Sequence, residues 1–212
     1  VDVELEAGAI ADRLVKSGGS AVIFEKPRLP NGEISEIPLA MNLFGTHDRT
    51  LRALGASHAT EVGERLVALM KPDIGGIVKR PWTGLPLLRD AISMPPKKVR
   101  KGSCQRVRME TDVTKLPSPK TWPMEGGRFI TLPLVVTKDP NSGEHNLGMY
   151  RSQIFGPKEV GLHWQIHKHG ADHAAAWPEG KMPVAICIGG PPELIFSATV
   201  SYTHLRAHET FA

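Results

Sequence analysis

Seven prolines crowd residues 80–123, at Pro81, Pro86, Pro95, Pro96, Pro117, Pro119 and Pro123. Proline cannot donate to a sheet ladder and is confined to strand starts, edges and bulges. The stretch is therefore a connector with short elements, and it separates two regions of different pattern. Upstream, residues 7–17 carry Ile10, Leu14 and Val15 at helical spacing, with Gly18 and Gly19 as a stop. Residues 21–25 and 38–44 read as strands, and 48–54 and 61–70 as helices, the latter closed by Pro72. That alternation predicts an α/β domain. After Gly126-Gly127 the pattern turns to β. Residues 129–137 are apolar and β-branched, Asp139-Pro140-Asn141-Ser142-Gly143 is a turn cluster, and 146–155 reads as the return strand of a hairpin. A third strand at 160–167, a short helix at 171–177 ended by Pro178 and Gly180, and a buried strand at 183–189 complete the reading.

The 212 residues are 41% hydrophobic and 23% charged, ordinary values for a globular protein able to bury a core. Cys104 and Cys187 have no metal-ligand spacing and read as two buried free thiols in a reducing compartment. No stretch approaches bilayer length, and the first residues lack the basic and apolar regions of a signal peptide, so the cytoplasm is the expected location. The net charge of +4 and the basic run at 95–108 invite a nucleic-acid reading. That run has no interleaved aromatics for base stacking, so a solvated connector is expected and no nucleic-acid partner. A basic balance equally suits a phosphate-bearing cofactor and carboxylate substrates.

Chemistry concentrates in residues 144–173, where Asn146, Arg151 and Lys168 stand among His145, His163, His167, His169 and His173. Asn146 offers an amide oxygen, and Arg151 a planar fork of donors that holds a carboxylate through two parallel bonds. Residues five apart on an extended strand point to opposite faces, so a shared pocket needs a bend or bulge, for which Gly148 is the candidate. His163 and His167 have the i, i+4 spacing of a zinc-protease helix. Trp164 stands where the general-base Glu should be, which argues against that enzyme class.

Four segments in order resemble the UbiD family of decarboxylases: the strand at 129–137, the motif Asn146-Leu147-Gly148-Met149-Tyr150-Arg151, the run from His163 to His173, and the segment at 188–197 that opens Ile188-Gly189-Gly190-Pro191-Pro192. A weaker similarity runs through 11–19, 21–25 and 41–45. The resemblance implies an N-terminal α/β domain with its connector over 1–118 and the first part of a split β-barrel flavin-binding domain over 119–199. It implies non-oxidative decarboxylation of an aromatic or α,β-unsaturated acid on prenylated FMN, with a polyprenyl-4-hydroxybenzoate of ubiquinone biosynthesis as leading substrate. Asn146 and His169 would bind a divalent metal, manganese or magnesium, with potassium as a further candidate ion. Lys168 would neutralise cofactor phosphate. His163, Trp164 and Gln165 would line the isoalloxazine, and Thr131, Met149, Tyr150 and Arg151 would also contact cofactor. Phe196, Ser197, Ala198 and Thr199 would begin another cofactor-contacting loop. Arg151 would hold the substrate carboxylate. His145, His167 and His173 are expected to be polar framework, and for Thr131 a buried residue satisfied by its own backbone is the alternative.

The resemblance also implies a flavin prenyltransferase as cofactor supplier, a homo-oligomeric parent, and peripheral membrane contact if the substrate is polyprenylated. Residues 200–212 break the matching and read as a non-native tail. The third metal ligand and the acid of the family pattern lie beyond the matching segment, so the chain is read as an inactive fragment. Two rivals differ in class: an FMN-dependent split-barrel oxidoreductase, and a non-enzymatic basic binding module centred on 97–108.

Overall fold

A computed structural model describes residues 1–71, 81–93, 99–100, 102–165 and 168–199. Pro72, the end of the expected third strand at 166–167, Lys97, Lys98 and Lys101 of the basic run, and the tail from 200 lie outside the described residues.

Helix α1, Glu6–Lys16, has Glu6 in its first turn and Arg13 and Lys16 in its last, charges that oppose the helix dipole. Its buried residues are Ala7, Gly8 and Ala11, small side chains that allow close approach. A Cβ at Gly8 would lie 3.2 Å from the Thr121 Cα. The Gly19 amide donates to the Leu14 carbonyl at 2.7 Å, with Gly18 at φ 64°, and the helix ends there. Strands β1, Val22–Phe24, and β2, Leu39–Met41, pair antiparallel. Helix α2, His47–Ala53, is capped by Thr46, whose side chain accepts from the Arg49 amide. The Arg49 guanidinium donates to the carbonyls of Gly19, Asn42 and Leu43, joining the end of α1 to the exit of β2. Helices α3, Ala59–Met70, and α4, Leu85–Ser93, follow.

The first residues close this region against the far end of the connector. The Leu5 amide donates to the Lys120 carbonyl at 2.8 Å, and the Lys120 amide to the Val3 carbonyl at 3.1 Å. Val3 is wholly buried, and Pro117, Ser118 and Pro119 are buried too. The end of the proline-rich stretch is thus core material without being strand.

In the β region the expected long hairpin is divided. Residues 129–137 form not one strand but two, β3, Phe129–Ile130, and β4, Pro133–Lys138. The return strand is likewise β5, His145–Met149, and β6, Ser152–Gly156. With β7, Glu159–Leu162, and β8, Ala185–Ile188, they form two three-stranded sheets ordered β3-β6-β7 and β5-β4-β8. Both strands of the hairpin change sheet at one corner. There Ile130 pairs with Ser152 and Leu134 with Met149, four steps along one strand against three along the other. An extra residue on one side bends a ladder and raises its twist. The bend that Asn146 and Arg151 require is therefore at Thr131–Pro133 and Tyr150–Arg151. Gly148 is not the bulge, because it pairs regularly with Val135.

Four further expectations are corrected. Strand β8 forms but is mostly exposed, since among the described residues it is an edge that pairs only with β4. Cys187 on that edge and Cys104 in a short 3₁₀ turn are free but exposed, not buried. Residues 196–199 are not a loop, for they belong to helix α6, Pro192–Thr199, whose Ile195 and Ala198 face the core. The short helix α5 begins earlier than the expected 171, at His169–Ala176, so His169 is its first residue. Among the described residues no helix is long and apolar enough to cross a membrane.

Candidate functional site

The two faces of the β5-β4-β8 sheet follow from strand alternation. Leu134 joins Ile195 and Ala198 of α6 in a buried cluster, with Leu147, Met149 and Phe44 packed on it. Phe44 meets Phe196 edge to face with ring centroids 5.1 Å apart, so the N-terminal region reaches this cluster. The opposite face carries Val135 and Thr137 of β4, paired respectively with Gly148 and Asn146 of β5. Helix α5 covers that second face through its buried residues, Gly170 and His173.

Thr137 is 1% exposed, and its Oγ1 lies 3.0 Å from His173 Nδ1. Burial holds the His173 imidazole below its usual pKa, and neighbouring His169 acts in the same direction. Asp139, Asp172 and Glu144 act in the opposite one. One turn earlier, Gly170 lies against Tyr150: a Cβ there would be 3.1 Å from the Tyr150 hydroxyl. A Cβ at Gly148 would be 2.5 Å from the same ring. Tyr150, 7% exposed, thus occupies a slot between two glycines, and Trp164 closes it with ring centroids 5.9 Å apart.

Beside this slot two buried N–H groups have no partner among the described residues, Asn146 Nδ2 and Trp164 Nε1. A buried donor left unpaired costs about 1–3 kcal/mol, so both are suited to a ligand that carries acceptors. Turned half round, the Asn146 amide presents Oδ1, an oxygen of the kind a hard divalent cation takes. These residues fit a phosphate-bearing cofactor and its cation. Lys168 begins α5, its carbonyl accepting from the amides of Ala171 and Asp172, and His169 is the first helical residue and exposed. Among the described residues no group of three or more His, Cys, Asp or Glu is placed to hold a metal.

Arg151 follows the corner and belongs to the other side of the bend. Its guanidinium lies 4.9 Å from the centroid of the Phe129 ring, and its carbonyl accepts from the His163 amide at 3.3 Å. Thr131 is exposed at the same corner, not buried. Gln165 is exposed beside it in sequence to the half-buried Trp164. The structure so joins Tyr150, Trp164 and Gly170 in one contact group, and Thr137, Asn146 and His173 on one sheet face. Thr137 and Gly170 were missed in the sequence. A hydroxyl inside an otherwise apolar strand was the available signal for the first.

A family model of the 3-octaprenyl-4-hydroxybenzoate carboxy-lyase N-terminal domain matches residues 1–70. The model of the Rift-related domain of the same carboxy-lyase matches residues 97–209. An uncharacterized protein of Archaeoglobus fulgidus is 43% identical over 198 residues, which make up 92% of this chain and 40% of that protein. One of Aquifex aeolicus is 37% identical over 201 residues, with the same coverage. The chain therefore spans about two fifths of the length of these curated relatives. An evolved dimeric form of the UbiD-class enzyme HmfF from Pelotomaculum thermopropionicum, in complex with prFMN, superposes with a TM-score of 0.70 at 19% identity, over 96% of this chain and 42% of that one. The closed form of vanillic acid decarboxylase from Sedimentibacter hydroxybenzoicus gives a TM-score of 0.69 at 23% identity, over 94% and 40%. These superpositions establish a shared fold, an N-terminal domain followed by part of a flavin-binding domain. With both domain models matched in order along most of its length, the chain belongs to the UbiD family of 3-octaprenyl-4-hydroxybenzoate carboxy-lyases.

Proposed function

We propose that the chain is part of a prenylated-FMN-dependent decarboxylase of aromatic or α,β-unsaturated acids, with a polyprenyl-4-hydroxybenzoate as leading substrate. The observation that carries this reading is the pair of buried, unpartnered N–H groups of Asn146 and Trp164 beside Tyr150. The work of the protein is placed as follows. Asn146 and His169 hold a divalent ion, manganese or magnesium. Lys168, at the start of α5, faces cofactor phosphate, where a helix N-terminus favours negative charge. His163, Trp164, Gln165, Thr131 and Tyr150 line the flavin, while Met149 packs on the apolar cluster of Leu134 behind them. When bound, the prenylated flavin supplies an electron sink for the pair released by the breaking C–C bond.

Arg151 orients the substrate carboxylate before that bond breaks, which a bidentate fork does well. The carbon that loses CO2 keeps the bonding pair and must receive a proton from an acid. That acid and a third metal ligand belong to the parent protein, so the 212-residue chain alone does not turn over. The parent is a cytoplasmic homo-oligomer supplied by a flavin prenyltransferase. It touches a membrane surface where its substrate is polyprenylated.

Co-expression with a flavin prenyltransferase tests the reading. Mass spectrometry should find prenylated FMN on the purified chain, and Asn146→Ala should weaken manganese binding at least tenfold. In the full parent, Arg151→Ala should abolish decarboxylation while the flavin spectrum persists. Retention of unmodified FMN only, with manganese affinity indifferent to Asn146, would favour a simple flavin oxidoreductase and sink the assignment. Loss of the ion on His167→Ala but not on His169→Ala would move the ligand to its neighbour.

A further inference from the structure

Helix α5 has only eight residues, and the two that it buries are a glycine and a histidine. It therefore docks without a large apolar side chain on its buried face. Gly170 permits close approach to Tyr150 but offers no directional bond. The directional contacts are at either end of β4's last residues. Trp177, just beyond the helix, donates its Nε1–H to the Lys138 carbonyl at 2.7 Å, and His173 meets Thr137 at 3.0 Å. The first tether stands outside the helix, at an exposed position of the strand end. The second is buried and sits at the sheet position paired directly with Asn146.

Residues one turn apart on a helix share a face, which puts His173 and His169 on the same side of α5. We infer that the Thr137–His173 hydrogen bond is a positioning contact that sets the start of α5 beside Asn146. His173 acts through the helix that carries His169 and touches no reacting group. This inference rests on the proposed metal role of Asn146 and His169.

The test uses the 212-residue chain in three variants. His173→Leu removes the bond at similar bulk, Thr137→Val removes its other half, and His173→Asn keeps a side-chain amide able to donate or accept near the Nδ1 position. Amide exchange and manganese-induced broadening of backbone signals are followed together. His173→Leu and Thr137→Val should each speed exchange at the α5 amides about tenfold while leaving β4 and β5 amides within about twofold, and weaken manganese about tenfold. The double variant should be no worse than either single one, and His173→Asn should recover most of both losses. Exchange that rises equally throughout the sheet, or an α5 that does not respond, overturns the inference. If wild-type signals at Asn146 are untouched by manganese while the α5 pattern appears as expected, the positioning contact stands and the metal assignment fails.

Discussion

The two faces of the β5-β4-β8 sheet are built on opposite rules. The face toward α6 is an apolar cluster of Leu134, Leu147, Met149, Ile195 and Ala198, reinforced by Phe44. The face toward α5 holds a threonine, a histidine, two glycines and an unpartnered asparagine amide around one tyrosine ring. Burial of apolar surface is non-directional and stabilises whatever packs against it. Hydrogen bonds and close glycine contacts fix an orientation but add little net stability, about 0.5–1.5 kcal/mol for each bond. One face thus secures the sheet, and the other sets the geometry of a site.

The strongest way to break this division is to weaken the apolar face. Leu134 is fully buried, so Leu134→Ala should cost about 2–5 kcal/mol. Urea unfolding would show it, and a change below the level of a surface substitution would mean that the cluster does not hold the sheet. On the other face, Gly148→Ala should cost about 1–3 kcal/mol, because the new methyl meets a ring that Gly170 and Trp164 keep from moving away. Its particular signature should be a change in Tyr150 and Trp164 fluorescence that Leu134→Ala does not reproduce in proportion to its stability loss.

The smallest effect expected is one of pH. His173 has a depressed pKa in the fold, chiefly through burial, so the unfolded chain binds its proton more readily than the native one. Its contribution to stability is then complete above the unfolded value near pH 6.5 and is lost as pH falls toward the folded one. Urea midpoints taken at about pH 7.5 and about pH 5.5 should fall for the wild type and fall less for His173→Asn. Equal slopes would show that His173 does not report this face.

Sequence pattern made the helices and the β character of residues 129–162 legible, because their apolar periodicity and capping residues act locally. It did not show that both hairpin strands change sheet. Neither Thr131-Leu132 nor Tyr150-Arg151 carries a glycine or a turn pair that would mark a corner. Pro133 was the one local mark, as a proline suited to the first position of a strand. Gly148 drew attention as a bulge for the right reason at the wrong place. Its lack of a side chain serves the Tyr150 ring instead. The same tertiary context decides the thiols, since an apolar strand at a sheet edge leaves Cys187 exposed.

The bonds between Leu5 and Lys120 and between Lys120 and Val3 clasp together segments far apart in sequence. The clasp closes the chain between Leu5 and Lys120, a span that takes in the proline-rich stretch. The entropy of closing a flexible loop grows only with the logarithm of its length, about 0.6 kcal/mol for each doubling. Length in the proline-rich stretch is consequently a weakly constrained quantity. Segments can be added or removed there at a cost well below that of a single methylene misplaced around Leu134.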